Sequence, residues 1–250
     1  MHEIFLNAEP LFFIGTYPFT NTLFASVLAV GIIALGSYVL RRMYAEVPGA
    51  AQGIVEFAYE EFVGLMDSVL DSRKKSEHYL PFVVTIFVFI LVSNWLGILP
   101  GVGSLGLVEE TGHGHSFTPL LRSPASDLNF TLALAILTVV AINVFGIMSI
   151  GAWKYASKFL DFSGPIHFFV GILEFISEIA KMISFAFRLF GNVFAGEVLL
   201  VVIAFLVPFG APVPFFILEL FVGFIQAFVF SMLALVFIAI ATTQHASEHE

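Results

Sequence analysis

Apolar runs of about 20 residues alternate with short polar segments along this 250-residue chain. A helix needs about 20 apolar residues to cross the hydrocarbon core of a bilayer, so each run predicts a membrane-crossing helix. The predicted crossings are residues 20–42, a hairpin of two helices within 80–150, and a hairpin of two longer helices within 164–245. The pattern predicts an all-α polytopic membrane protein with five crossings, in which residues 1–250 form a single membrane domain.

Residues 50–71 do not fit a crossing, because acidic residues recur through the segment. Apolar residues recur at helical spacing on one side, and acidic residues hold the other. The apolar set is Ile54, Ala58, Phe62, Leu65 and Val69, and the acidic set is Glu56, Glu60, Asp67 and Asp71. This pattern predicts one amphipathic interfacial helix, lying along the membrane surface or against a partner. Its acidic polar side favours the partner.

The apolar sequence that begins at Pro165 continues to about residue 207 without a proline or a polar cluster. A helix of this length would measure roughly 65 Å, about twice the thickness of the hydrocarbon core. Either Gly191-Asn192 breaks the helix, or the helix is steeply tilted. We expect one long tilted helix, with residues 215–241 returning beside it as an antiparallel partner.

Polar side chains inside this long hairpin are candidate functional groups, because a charge within a membrane is costly and is seldom there without a role. Several share one side of the first helix by their spacing: Glu174, Glu178, Lys181, Ser184, Arg188 and Asn192. Glu197 lies nine residues after Arg188, about 180° around a regular helix, so it should not pair with Arg188. On the second helix, Glu219 and Gln226 are seven residues apart and share a face.

Structural explanations exist for some of these residues. Glu174, Glu178 and Lys181 have the spacing of a satisfied set of ion pairs near the inner interface. Asn192 and Gln226, like other membrane amides, could join helices by hydrogen bonds. Arg188 is different, because it lies about 23 residues into the helix, far from both ends, and cannot lose its charge.

Basic residues are concentrated in the segments after the first and third predicted crossings: Arg41, Arg42, Arg73, Lys74, Lys75, Lys154 and Lys158. The segment after the second crossing has only Arg122. The positive-inside rule therefore predicts an outer N-terminus and a cytoplasmic C-terminus, or a matrix C-terminus in a mitochondrial membrane. The formal net charge of −9 and the absence of an extended basic patch argue against nucleic acid as a partner.

The order of charges along the long hairpin suggests a mechanism. Carboxylates occur in both halves of the membrane, and Arg188 lies between them. Carboxylates removed from water exchange protons closer to neutral pH, whereas arginine keeps its proton. This arrangement suits two proton half-channels separated by a positive barrier, and a partner must carry each proton past that barrier.

Several segments resemble subunit a of the F-type ATP synthase. They are "FRLFGNVFAGE" (187–197), "LELFVGFIQAFVF" (218–230), "FVFILVSNWLGILPG" (87–101) and "DLNFTLALA" (127–135). The resemblance covers most of the chain from about residue 77 onward, and before that point mainly the layout agrees. It implies a proton-translocating stator subunit, not catalytic by itself, in a bacterial cell inner membrane or, alternatively, a mitochondrial inner membrane.

The resemblance also implies a role for each matching position. Arg188 would attract deprotonated carboxylates of the rotating c-ring and block direct proton leak. Glu197, Glu219, Gln226 and Asn192 would belong to the outer half-channel and its border with the ring, and Glu174, Glu178 and Ser184 to the inner one. Some members carry histidine at the position of Glu219. The implied partners are the c-ring, peripheral-stalk b-type subunits and the lipid bilayer, with no cofactor.

Two other functions compete with this one. A stand-alone proton-coupled secondary transporter could use the same arginine and glutamates. An intramembrane hydrolase has little support, since the chain has no cysteine and neither the HExxH nor the GxSxG motif. His113 and His115 could bind a metal, but two loop histidines without placed partners are usually solvated, and no metal site is expected.

Overall fold

The computed structural model of the protein describes residues 8–47, 49–99, 105–111, 114–159 and 164–243. Helices account for most of these residues, and two antiparallel β-hairpins for a small remainder. The helices are α1 (Asn21–Met43), α2 (Ala50–Leu70), α3 (Arg73–Ile98), α4 (Leu128–Ile150), α5 (Ala152–Ser157), α6 (Pro165–Leu206) and α7 (Pro212–Thr242). The strands are β1 (Pro10–Ile14), β2 (Tyr17–Thr20), β3 (Gly106–Thr111) and β4 (Gly114–Pro119).

Five helices within the described ranges are long and apolar enough to cross a membrane: α1, α3, α4, α6 and α7. Each overlaps one of the five predicted crossings, although α3 begins at Arg73, before the predicted hairpin of 80–150, and α2 is not among them. The predicted class, an all-α polytopic membrane protein, is confirmed. The two β-hairpins were not predicted, although Gly15, at φ 67° between the two apolar strands β1 and β2, is a recognisable turn signal.

Local sequence explains where several helices begin. Thr20 accepts a hydrogen bond from the Leu23 amide and caps α1. Asp127, which directly precedes the apolar run of α4, accepts one from the Asn129 amide and caps that helix. Pro165 occupies the first turn of α6, where a missing N–H costs nothing.

The long helix α6 runs unbroken for 42 residues, roughly 63 Å, so Gly191-Asn192 does not interrupt it. The next helix, α7, has 31 residues and returns beside α6. Successive contacts show the antiparallel direction: Phe185 packs on Phe230, whereas Gly196, further along α6, meets Glu219, further back along α7. The predicted continuous helix and its antiparallel partner are confirmed.

The two β-hairpins lie at the same end of the helix bundle, which we call the hairpin end. The Asn21 side chain at the start of α1 donates to the carbonyl of Pro119 at the end of β4, with an N···O distance of 3.3 Å. Thr22 donates to Asp127 at the start of α4, at 3.2 Å. The opposite end, which we call the basic end, holds seven of the ten lysines and arginines.

The core is built around α7, which packs against α3, α4 and α6. Only the second half of α2 joins this core, through Val63, Met66 and Leu70. Of the predicted apolar side of α2, Phe62 and Val69 also pack against this core, whereas Ile54 is 70% exposed and Leu65 is 40% exposed. Periodicity thus predicted the helix and part of the side that packs on this chain, and the first half of the apolar side stays exposed.

Candidate functional site

The predicted polar residues of α6 and α7 meet across the long hairpin. The Asn192 side chain on α6 donates to the Gln226 side-chain oxygen on α7, at 3.3 Å. Gln226 is buried, and its amide nitrogen has no hydrogen-bond partner among the described residues. This contact agrees with the alternative that Asn192 and Gln226 join the two helices.

Glu219 lies two turns before Gln226 on α7 and is 9% exposed. Its carboxylate lies directly against Gly196 on α6, where a Cβ atom would overlap it. Two hydrogen bonds from α3 fix α7 at this level: Trp95 donates to the carbonyl of Leu220, and Asn94 to that of Gly223, each at 3.1 Å. Glycine at 196 and these anchors together place a carboxylate inside the bundle.

Glu197 pairs with Arg122, a residue that our sequence-based site does not contain. The Arg122 guanidinium donates to both carboxylate oxygens, from Nε to Oε1 at 3.2 Å and from Nη2 to Oε2 at 3.4 Å. Arg122 is 8% exposed and Glu197 is 34% exposed. The expectation that Glu197 does not pair with Arg188 is confirmed. The sequence did offer a sign of its partner, because Arg122 is the one lysine or arginine between the second and third crossings.

Arg188 has a different environment from Arg122. Its side chain is exposed on the surface of α6 and donates to Ser184 one turn earlier, at 3.1 Å. Within the described part of the chain, no carboxylate lies at ion-pair distance from Arg188. Its neighbours Ile183 and Phe187 are also exposed. The bundle therefore presents Arg188 outward, on an apolar surface.

The two α6 carboxylates that lie towards the basic end, Glu174 and Glu178, are each paired with a lysine. Glu174 forms an ion pair with Lys158, which follows α5. Glu178 forms one with Lys181 at 2.5 Å. Helical spacing places six polar residues on one side of α6, but the fold gives them different surroundings. Glu178 is buried against α4, whereas Arg188 is exposed. Of the set predicted from spacing, Glu178 and Lys181 form an ion pair, whereas the partner of Glu174 is Lys158, which the set did not include.

Glu178 also belongs to a polar network between helices. Asn143 on α4 donates to Glu178 at 3.3 Å, and the Tyr155 hydroxyl on α5 donates to the Asn143 oxygen at 2.5 Å. Burial, together with the nearby charges of Glu178 and Glu174, raises the pKa of Tyr155 to about 12. The phenol therefore stays neutral and remains a donor at physiological pH.

The predicted loop histidines give no metal site that can be described. His113 lies outside the described residues, and His115 is placed only as part of the β4 backbone, opposite Glu110. Elsewhere in the described ranges, no group of three or more histidine, aspartate or glutamate side chains is close enough to hold a metal.

Before any comparison, these features define a class of protein: an integral, multi-pass α-helical membrane protein with the buried side chains of Glu178, Glu219 and Gln226 on a hairpin of two long helices. The family of the ATP synthase A chain matches residues 22–239. The chain belongs to this family, whose members are proton-translocating components of the membrane sector of the F-type ATP synthase.

Individual relatives cover nearly the whole chain. An ATP synthase subunit a from Mycobacterium bovis is 36% identical over 236 residues, which is 92% of this chain and 90% of the relative. One from Moorella thermoacetica is 30% identical over 229 residues, or 92% and 94%. One from Campylobacter jejuni is 32% identical over 226 residues, or 88% and 90%.

Proposed function

We propose that this chain is the proton-conducting stator subunit of its ATP synthase, and that residues 1–250 act as a single membrane domain. In this proposal two aqueous half-channels deliver protons to and from carboxylates on a rotating c-ring. The subunit carries no catalytic site of its own. The observation that carries the proposal is the outward-facing Arg188, a permanent charge on an apolar helix surface with no carboxylate partner in the described chain.

A cation on such a surface is costly unless another molecule supplies an anion or water. The c-ring carboxylates are the partner we propose. The guanidinium of Arg188 would attract each deprotonated ring carboxylate and, since it keeps its own proton, would block direct passage of protons between the two half-channels. The exposed apolar neighbours Ile183 and Phe187 provide a surface on which ring helices can slide.

The outer half-channel is proposed to end at Glu197, Glu219, Gln226 and Asn192. Support comes from the meeting of these side chains across α6 and α7, between Arg188 and the hairpin end. The Glu219 carboxylate is buried within the bundle there. Groups that bind and release protons must be held close together and partly shielded from bulk water, and this arrangement meets both requirements.

The inner half-channel is proposed to follow α6 from Glu174 and Glu178 towards Ser184, whose side-chain oxygen accepts a hydrogen bond from the Arg188 guanidinium. Because Glu174 and Glu178 are both neutralised by lysine, we expect them to shape this path and not to bind each passing proton. Ser184 therefore stands closest to the barrier.

The orientation and setting complete the proposal. The basic end faces the cytoplasm of a bacterial inner membrane, and the hairpin end faces outside; a mitochondrial inner membrane is the alternative. At roughly 63 Å, α6 fits a hydrocarbon core of about 30 Å only if it is steeply tilted. The exposed apolar residues of α1 and of the first half of α2 form the surface that we assign to peripheral-stalk b-type subunits.

One experiment tests the role of Arg188. In the complete ATP synthase reconstituted in liposomes, we expect Arg188→Ala to abolish proton-driven ATP synthesis, while Glu174→Gln lowers it only modestly. Arg42→Ala, an exposed arginine at the basic end that also bonds within its own helix, is the matched control. Normal synthesis with Arg188→Ala would refute the assignment.

A second measurement separates this function from a stand-alone proton-coupled transporter. The purified chain, placed in liposomes without a ring, should conduct few protons and transport no solute. Solute-coupled proton flux from this chain alone would favour the transporter.

A further inference from the structure

We infer that Arg122 is a positioning residue of the outer half-channel: it holds Glu197 as a fixed, charged carboxylate and leaves Glu219 as the carboxylate that exchanges protons. The inference rests on the proposed function and adds a residue and a division of labour to the same site. Three observations carry it.

The first observation is the geometry of the Arg122–Glu197 pair. Two parallel donor–acceptor contacts, at 3.2 and 3.4 Å, join the guanidinium to both carboxylate oxygens. Bidentate pairing of this kind fixes the orientation of a carboxylate as well as neutralising it. Since Arg122 is 8% exposed, its charge cannot be satisfied simply by turning into water.

The second observation is that the segment carrying Arg122 is itself held rigidly. Residues 122–127 are all buried. The Ser123 hydroxyl donates to the carbonyl of Ser93 on α3 at 3.3 Å, and Gly97, one turn later, allows Ser123 to approach so closely that a Cβ atom there would lie 2.8 Å from the Ser123 Cα. Asp127 anchors the other end through Thr22. The guanidinium is therefore placed by the fold.

The third observation is the contrast between the two carboxylates. The charged groups that face Glu197 among the described residues are Arg122, from the segment before α4, and Glu219, from α7. Glu219 has no cation at ion-pair distance within the described ranges, and its Oε2 atom is buried without a hydrogen-bond partner there. Two neighbouring carboxylates of which only one is paired with a cation favour one fixed charge and one exchangeable proton.

The test uses the complete ATP synthase in liposomes, with synthesis rate measured against the pH on the hairpin side. We expect Arg122→Gln to raise the pH of half-maximal rate by about one unit, because two carboxylates without their cation retain a shared proton more tightly. Arg122→Lys should keep the midpoint close to that of the unmodified protein, with a lower rate, since it retains the charge but not the bidentate geometry.

A matched control and a double substitution make the result specific. Arg73→Gln removes an arginine that also bonds two carboxylates, Asp67 and Glu77, but lies at the basic end, and it should leave the midpoint unchanged. When Glu197 is already glutamine, adding Arg122→Gln should produce no further shift. An equal shift in both backgrounds, or none in either, would overturn the inference.

If Arg122→Gln alone fails to assemble, the test compares Glu197→Gln with the double variant. The double variant has a neutral residue at both positions, so it leaves no unpaired charge buried. Identical profiles support the inference, and different ones overturn it. The proposed function fails separately: if Arg188→Ala still synthesises ATP, the stator assignment is wrong, whatever Arg122 does.

Discussion

Gly196 on α6 and Glu219 on α7 touch so closely that a Cβ atom at residue 196 would overlap the Glu219 carboxylate. Gly196 also directly precedes Glu197, whose carboxylate is held by Arg122. The absence of a side chain at one position therefore lets two acidic side chains from different helices share one part of the bundle.

Gly196→Ala should displace the Glu219 carboxylate without preventing assembly, because the obstructing atoms are at the end of a flexible side chain. Misplacing a reacting group by about 1 Å can lower a rate by up to roughly a hundredfold, so we expect proton-driven ATP synthesis to fall by roughly ten- to a hundredfold. Synthesis and subunit content are measured on the same purified complex.

The control for this prediction is Gly31→Ala on α1, where a Cβ atom meets nothing within 4 Å. It introduces the same methyl group into a membrane-crossing helix and should leave synthesis unchanged. Unaltered synthesis with Gly196→Ala would show that the position of Glu219 is not critical.

The Glu178–Lys181 ion pair provides a stability prediction. Its side chains are only 10% and 16% exposed, so Glu178→Gln leaves a lysine charge largely buried without its carboxylate. Removing one partner of such a pair costs about 3 kcal/mol. We expect a clearly lower midpoint for heat-induced dissociation of the subunit from its complex.

The matched control is Glu77→Gln, which breaks an ion pair with Arg73 whose side chains are more than half exposed. Exposed pairs contribute little, so its dissociation midpoint should stay at the value of the unmodified protein. Equal effects of the two substitutions would mean that Lys181 finds another partner or reaches water.

The pKa of Tyr155, raised by burial to about 12, predicts a pH dependence. A tyrosine in an unfolded chain ionises at about pH 10. The stabilising effect of the neutral folded phenol is therefore fully present below pH 10 and is lost as the pH rises towards 12. Near neutral pH, this residue should contribute no pH dependence to stability.

Tyrosinate absorbance measures this ionisation directly. The difference between the unmodified protein and Tyr155→Phe should develop around pH 12, provided that the protein remains folded. A difference that is complete by about pH 10 would show that Tyr155 is not buried in the network with Asn143.

Much of the architecture was readable from sequence because membrane crossing depends on local properties. Length and apolarity predicted five crossings, and the uninterrupted run after Pro165 predicted a helix that is continuous at Gly191-Asn192. Asp127 was recognisable as an N-cap from its place before an apolar run. Each of these features depends on residues within a turn or a helix of one another.

The candidate site was predictable only in part. Helical spacing placed Glu197 away from Arg188, but nothing local could connect it to Arg122, which is 75 residues earlier in the chain. The same spacing put Glu178 and Arg188 on one side of α6, yet packing against α4 buried the first and left the second exposed. Helical periodicity gives directions around one axis, whereas partners depend on which neighbouring helix occupies each direction.

The sequence alone was thus enough for the class of protein, the number and approximate positions of its membrane helices, and the residues whose charge is hard to explain in a membrane. The tertiary structure decided how those charges are satisfied: Glu197 by Arg122, Glu178 by Lys181, and Arg188 by nothing charged within the described chain. The physical reason is that inserting a helix depends on its own composition, but the electrostatic cost of each polar group depends on what the fold brings within a few ångströms of it.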